Sequence, residues 1–377
     1  MIKIETHISG EVLNIRSGRP VADGLAIEVA GIVRTSGSGR ITVNGVPAHV
    51  SDGKFQASVV LTKTETDLVA RLESADGCFE DRIRVVWDRC SRRRYRFAID
   101  DNIFFPREIA RDNPKSLFDC QYLDGLRSLN RRYGTKFILN MFYATPNGDF
   151  TLDKFPSKYK GEFSDNAEWL SLAFHGYSEF PDRPYQNSSR EKLAADYDLV
   201  ATEIIRFAGE AAYSPCTLTH WAMVPPENWS VLTERGTRVL SGFFVPDTGS
   251  SYTGDGESIS ANLKGDGYDI NYCMDNERSA FLSRHDLIKD FDSGLLFSRC
   301  DIVCNNTPPE QAEKILLPLM AEPATSEIMD IITHEQYSWP FYKNYRPDHF
   351  ARCEAVIRFC ADNGYAPVFF HREFEGL

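Results

Sequence analysis

Along the first ninety residues apolar and polar positions alternate in short runs (EVLNI, GLAIEVAGIV, GRITVNGVPAHV, GKFQASVVL, TDLVARLES, DRIRVVW), with Gly, Ser and Asp turns about every ten residues. A period of two sends successive side chains to opposite faces, so this stretch predicts a small antiparallel β-sandwich over residues 1–90. The basic run from Arg89 to Arg96 reads as a solvated linker. From residue 95 the period changes. Strand RYRFAI precedes a helix that Ser116 caps, with Phe118, Tyr122, Leu126, Leu129 and Tyr133 on one face and Gly134 past its end. Strands KFILN and WLSLAF follow, then a helix opened by Ser188 with Glu191 three residues on. Next come CTLT, helix PENWSVLTERG, TRVLSGFFV, DIVC, helix PEQAEKILLPLM, EIMDIIT, a helix from about 347 to 363, and APVFF. Strands alternating with helices predict parallel β/α units over 91–377. The polar, Gly-rich excursion at about 249–299 predicts an insertion on the substrate side.

The 377 residues leave ample length for a core and suit two domains. The 42 Lys+Arg against 54 Asp+Glu give 42 − 54 = −12, a charge that repels phosphate backbones and anionic lipid. The expected partner is therefore a small substrate, with no nucleic acid and no membrane. No apolar run approaches the roughly 20 residues that cross a bilayer, and MIKIETHISGEV lacks the basic and apolar regions of a signal peptide, so a cytoplasmic protein is expected. The nine cysteines include no C-x-x-C pair and read as buried free thiols.

Residues of catalytic type recur at strand ends: Asp100 and Asp101 after RYRFAI, His175 after WLSLAF, His220 after CTLT, His334 after EIMDIIT. In a β/α barrel those ends converge on one face, where such folds carry their sites. Ile-Asp100-Asp101-Asn102, Phe174-His175-Gly176-Tyr177-Ser178-Glu179 and Ile331-Ile332-Thr333-His334 resemble the motifs of polysaccharide deacetylases of the glycoside hydrolase/deacetylase superfamily, over about residues 95 to 377. The resemblance implies an α/β fold, an incomplete (β/α) barrel of about seven parallel strands. It also implies a metal-dependent hydrolase acting on an acylated carbohydrate. Around Val43-Asn44-Gly45 and Gly53-Lys54-Phe55 the preceding module resembles the immunoglobulin-like sandwiches appended to carbohydrate-active enzymes.

By the same resemblance Asp100 is the general base, His334 the general acid, and Asp101 and His175 ligands of a divalent ion, most simply zinc. Glu179 stands where the family has its second ligand histidine, and the Arg-x-Pro-x-Gly-like third motif is absent near CTLTHWAMVPPENW. Two carboxylates and one imidazole still suit zinc, with manganese or iron less disfavoured than in the parent pattern. Aromatic residues beside the motifs, Tyr177, Trp221, Tyr337 and Trp339, together with His220, would line a sugar site or serve core packing. Other readings of these residues stay open. Glu179 pairs with Arg183 while Asp101 caps the next segment and no metal binds; Glu179 and Asp101 flank a glycosidic bond without metal; or the chain is a catalytically silent carbohydrate-binding protein.

Overall fold

In the computed structural model the described residues are 1–34, 39–244, 253–254, 257–258, 271–374 and 376–377. The first module holds ten strands: β1 (Ile2–Ile4), β2 (Val12–Leu13), β3 (Arg19–Val21), β4 (Gly24–Val33), β5 (Gly39–Val43), β6 (Val46–Pro47), β7 (His49–Ser51), β8 (Lys54–Leu61), β9 (Glu65–Ser74) and β10 (Gly77–Trp87). They form two five-stranded sheets, β1-β4-β8-β7 with β3 on β4, and β2-β10-β9-β5-β6. Every pairing is antiparallel except β2 with β10. Burial in β8 follows a strict alternation, with Phe55, Ala57, Val59 and Leu61 inward. These side chains join Leu25, Ile27, Val29, Leu68, Ala70 and Val85 from both sheets in one apolar cluster.

The second part opens with β11 (Arg94–Asn102), α1 (Phe104–Asp112), α2 (Gln121–Tyr133), β12 (Phe137–Phe142), α3 (Lys160–Asp165), β13 (Leu170–Gly176) and α4 (Arg190–Ala208). It continues with α5 (Trp229–Thr233), β14 (Val239–Phe244), the short pair β15 (Thr253–Gly254) and β16 (Glu257–Ser258), α6 (Asn276–Leu282), β17 (Leu287–Lys289), β18 (Leu296–Cys300) and β19 (Ile302–Val303). The last elements are α7 (Pro309–Ala321), β20 (Ile328–His334), α8 (His349–Asp362) and β21 (Ala366–Pro367). Every residue of β11, β12, β13 and β20 is buried, as in a parallel sheet covered on both sides.

The expected barrel of about seven parallel strands is not what forms. The parallel sheet is β13-β12-β11-β20-β19, with β21 beside β11. A separate three-stranded sheet, β14-β18-β17, is mixed, because β17 runs antiparallel to β18. With the two antiparallel-rich sheets of the first module, the described residues are β-rich and close no (β/α) barrel. The break falls at residues 213–219. CTLT was expected to be a strand, but this segment touches β13 through a single bridge, Leu172 with Tyr213, and reaches β14 through the Ser241 N–H to the Thr217 carbonyl at 2.7 Å. Pro215 brings no donor to a ladder there. Smaller differences follow from local chemistry. Ser189 rather than Ser188 caps α4, accepting from Lys192 N at 3.2 Å. Ser116 caps a single 3-10 turn, with α2 starting afterwards at Gln121. The first half of the expected 249–299 insertion lies largely outside the described residues; its second half supplies α6, β17 and β18.

The two sheets of the second part are joined by a buried ionic node. Arg96 Nη1 donates to Asp330 Oδ1 at 2.7 Å and to Ser241 Oγ at 2.8 Å, while Nη2 donates to Thr217 Oγ1 at 2.9 Å. A small apolar cluster, Val239, Leu287, Leu296, Ile328, Val368, Phe370 and Phe374, gathers first residues of β14, β17, β18 and β20, and Val12 of the first module packs on it. Lys289 N to the Gly10 carbonyl at 2.7 Å, Asn14 Nδ2 to the Pro323 carbonyl at 2.8 Å and Lys289 Nζ to Glu65 Oε1 at 2.7 Å add to that junction. The first module thus sits against the amino ends of β14, β18 and β20. All nine cysteines are free thiols. Among the described residues no helix is long and apolar enough to cross a membrane.

Breaking the Arg96 node leaves a buried carboxylate without its counter-ion, so Arg96→Met should cost about 3–5 kcal/mol. The solvent-exposed pair Arg84–Asp67, at 2.8 Å, should lose about 0–1 kcal/mol in Arg84→Ala. Urea unfolding of both variants checks the contrast, and equal losses would remove the node from its structural role.

Candidate metal centre

Two bulges in the parallel sheet put acidic and imidazole groups in one place. Between β11 and β12 the register runs Ile99 with Leu139 and then Asn102 with Met141, so Asp100 and Asp101 face the single residue Asn140. Successive strand residues ordinarily point to opposite faces. Here Asp101 takes the left-handed region at φ 61°, which Asp tolerates better than most side chains, and both carboxylates turn to the same end of the sheet. Between β12 and β13 the register steps from Met141 with Phe174 to Phe142 with Gly176, and the extra residue is His175. A third bulge, at Gly242 of β14, seats the segment that carries His220. Gly242 has φ 108°, and a Cβ on it would lie 2.3 Å from Leu218 Cδ1 and 3.1 Å from Ala222 Cβ. That close approach is why glycine stands there.

Asp101, His175 and His220 are all buried, and one ligand atom from each lies within 4.8 Å of the others. His175 Nε2 stands 3.1 Å from Asp101 Oδ1, His220 Nδ1 stands 3.3 Å from the same oxygen, and the two nitrogens are 3.3 Å apart. Ligands held at about 2.0–2.1 Å around a tetrahedral ion sit about 3.3 Å from one another, so these three atoms already have a metal-binding spacing. Protonation points the same way. His175 Nδ1 donates to the Leu218 carbonyl at 2.9 Å and His220 Nε2 donates to the Glu179 carbonyl at 3.1 Å. With those protons turned outward, the neutral rings present bare lone pairs to a carboxylate oxygen. Three acceptors converging without a proton repel; a cation between them satisfies all three. The triad could therefore hold a metal ion.

Electrostatics agree. Burial opposes charge on Asp101, but in the ion-free cluster an added proton shared with His175 or His220 holds its carboxyl well below the usual range. Burial also opposes charge on His175, and the Asp100 and Asp101 carboxylates outweigh it, so its pKa rises: without an ion the cluster attracts a proton. The face of Phe142 closes one side, 5.1 Å from the His175 ring and 4.9 Å from the His220 ring.

The expected ligand set thus changes by one member. His220, expected against substrate, joins Asp101 and His175, and Glu179 does not. A second ligand four residues after His175 needs a helical turn to share its face. Residues 177–182 form no helix, and Glu179 supplies its main-chain carbonyl instead. Asp100 and His334 are in register across β11 and β20. Asn140 Nδ2 donates to Asp100 Oδ1 at 2.6 Å, and His334 Nδ1 lies 2.9 Å from Asn305 Oδ1. Burial lowers the His334 pKa despite the nearby Asp101 and Asp100. Of the aromatics, Tyr177 is 40% exposed and stands 5.4 Å from Tyr143. Trp221 is half-buried beside His220, and Tyr337 is buried 6.1 Å from the His334 ring. Trp339 donates its indole N–H to Glu335 Oε1 at 3.0 Å, which gives it a structural task.

Sequence reasoning missed Glu335, Gln336, Asn140 and Asn305. Glu335 is buried and accepts from the N–H groups of Ile103, Phe104 and Phe105 at the start of α1, at 2.7, 2.9 and 2.5 Å. Burial pushes its carboxyl up to about 7 against those donors. The acid preceding an α1 start would be the signal for such a cap, but here it comes from 230 residues further along the chain.

Exchanging ligands settles the triad. His220→Ala should lower metal affinity by more than the roughly 10–100-fold of an outer-shell change. Glu179→Gln should leave it unchanged, since residue 179 meets His220 through its main-chain carbonyl and its carboxylate is not one of the three converging ligand atoms. Because the His175 pKa is raised, proton competition should weaken the apparent zinc affinity at a higher pH than it would for an ordinary imidazole. Calorimetric titration of both variants with zinc, at several pH values, reads these outcomes.

No protein-family profile and no curated protein matches this chain. Among solved structures, the fibronectin(III)-like modules of Clostridium thermocellum CbhA overlay at 13% identity and TM-score 0.19, covering 27% of this chain and 57% of theirs. The chain therefore spans little more than half the length of that structure. A Bacteroides fragilis protein put forward as an alpha-galactosidase overlays at 12% identity and TM-score 0.28, covering 96% of this chain and 78% of its own. Both likenesses are too distant to assign a fold or an activity.

Proposed function

We propose that this chain is a metal-dependent hydrolase that removes an acyl group from a carbohydrate, with zinc on Asp101, His175 and His220. The observation that carries the reading is the convergence of three lone-pair atoms whose ring protons are tied to the Leu218 and Glu179 carbonyls. Zinc is favoured by two imidazoles and one carboxylate, a common donor set for a catalytic zinc site. Such an ion lowers the pKa of a bound water and polarises a carbonyl.

The remaining tasks fall to neighbouring side chains. Asp100, oriented by the Asn140 amide, takes the proton of the attacking water. His334, oriented by the contact of its Nδ1 with Asn305 Oδ1, delivers a proton to the departing group. A lowered pKa makes its protonated form a stronger acid. Half-buried Trp221 and exposed Tyr177 next to the ligands offer flat faces on which a sugar ring stacks. A metal-free glycosidase would need Asp101 and Glu179 as facing carboxylates; Asp101 is instead enclosed by two histidines and Gln336.

Elemental analysis of protein purified without chelator, followed by a screen of N- and O-acetylated sugars, tests the proposal. A metal-free, inactive wild type would end it and favour a silent carbohydrate-binding protein. Asp100→Asn should keep the metal and lower turnover by roughly two to four orders of magnitude. Asn305→Asp places an anion on His334 and raises its pKa. If His334 acts as an acid, the high-pH limb of the rate profile should move upward in that variant; an unmoved limb removes His334 from the reaction.

A further inference from the structure

The carboxylate of Asp101 has two oxygens, and only Oδ1 faces the histidines. Oδ2 accepts the Gln336 Nε2–H at 2.8 Å, with both residues buried. We propose that Gln336 is a positioning residue that makes Asp101 a one-oxygen ligand, keeping the coordination number low and a place open for water and substrate. The inference rests on the metal reading above.

Three observations support it. An amide nitrogen beside a carboxylate gives a charge-assisted hydrogen bond and occupies the lone pairs that two-oxygen chelation would need. The other end of that amide, Oε1, is buried without a hydrogen-bond partner. A side chain placed for its own satisfaction would not strand that acceptor, so the contact with Asp101 accounts for its position. Finally, Gln336 cannot drift from Asp101. Its neighbour Glu335 binds the N–H groups of Ile103, Phe104 and Phe105, which directly follow the Asp100–Asn102 bulge. The turn carrying Gln336 is thereby fastened to the chain segment that carries the ligand.

Cobalt(II) supplies the test, because its visible bands are strong in four-coordinate and weak in six-coordinate surroundings. The full chain, freed of metal and titrated with cobalt chloride, is compared with Gln336→Leu and Gln336→Met, two variants of similar volume that lack the donor. Both should bind cobalt roughly 10–100-fold more weakly, the range for loss of an outer-shell partner. Their visible absorption should also fall as the freed Oδ2 joins the ion. A structural role alone would change stability but not the bands of the folded, loaded protein. If either folded variant binds cobalt as tightly as wild type with the same spectrum, the role of Gln336 is overturned while the metal reading stands. If wild type binds no cobalt, both fall.

Discussion

The guanidinium of Arg96 is the constraint on which the second part of the chain depends. Its side chain is 1% exposed and that of Asp330 is fully buried. Taking both ions out of water costs several kcal/mol each, and such a pair persists only when further hydrogen bonds hold it. The network supplies them: Ser241 donates from Oγ to Asp330 Oδ2 while receiving from Arg96, and the Asp330 N–H reaches Asp301 Oδ2 at 2.8 Å. Four pieces of chain meet there, β11, β20, β14 and the segment before His220, of which only β11 and β20 share a ladder. Apolar side chains could fill that volume but would not fix direction. Hydrogen bonds do, so the two sheets are held in register where strand pairing fails.

That registration matters because the triad draws its members from both sides of the gap. Asp101 and His175 belong to the parallel sheet; His220 follows the unpaired segment held by Thr217 on Arg96 and by Gly242 against Leu218. The sheets supply rigidity, and the bulges release single residues from the ladder so that their side chains turn toward one point. Local irregularity inside a stiff frame is a common arrangement for reactive groups.

How much of this could be read from sequence follows the same division. Asp101, His175 and His334 were legible because each ends an apolar run long enough to be a buried strand. His220 was legible as a site residue but not as a ligand, since its partner atoms depend on a segment that forms no ladder. Glu179 misled because motif spacing presumes a helical turn, whereas residues 177–182 form a loop. The barrel itself was misjudged at CTLT, whose apolar residues look like a strand although the segment makes one bridge. Bulges left no trace, because an extra residue is defined only against a neighbouring strand. Asn140, Asn305 and Gln336 were silent for a simpler reason: an amide carries no charge and here belongs to no motif.

The proton of His220 that is turned away from the triad rests on the peptide carbonyl of residue 179. A carbonyl is common to all twenty amino acids, so the identity of the side chain at that position is uncoupled from the contact. The contact itself sets no side-chain requirement, so the ring takes its orientation from main-chain geometry.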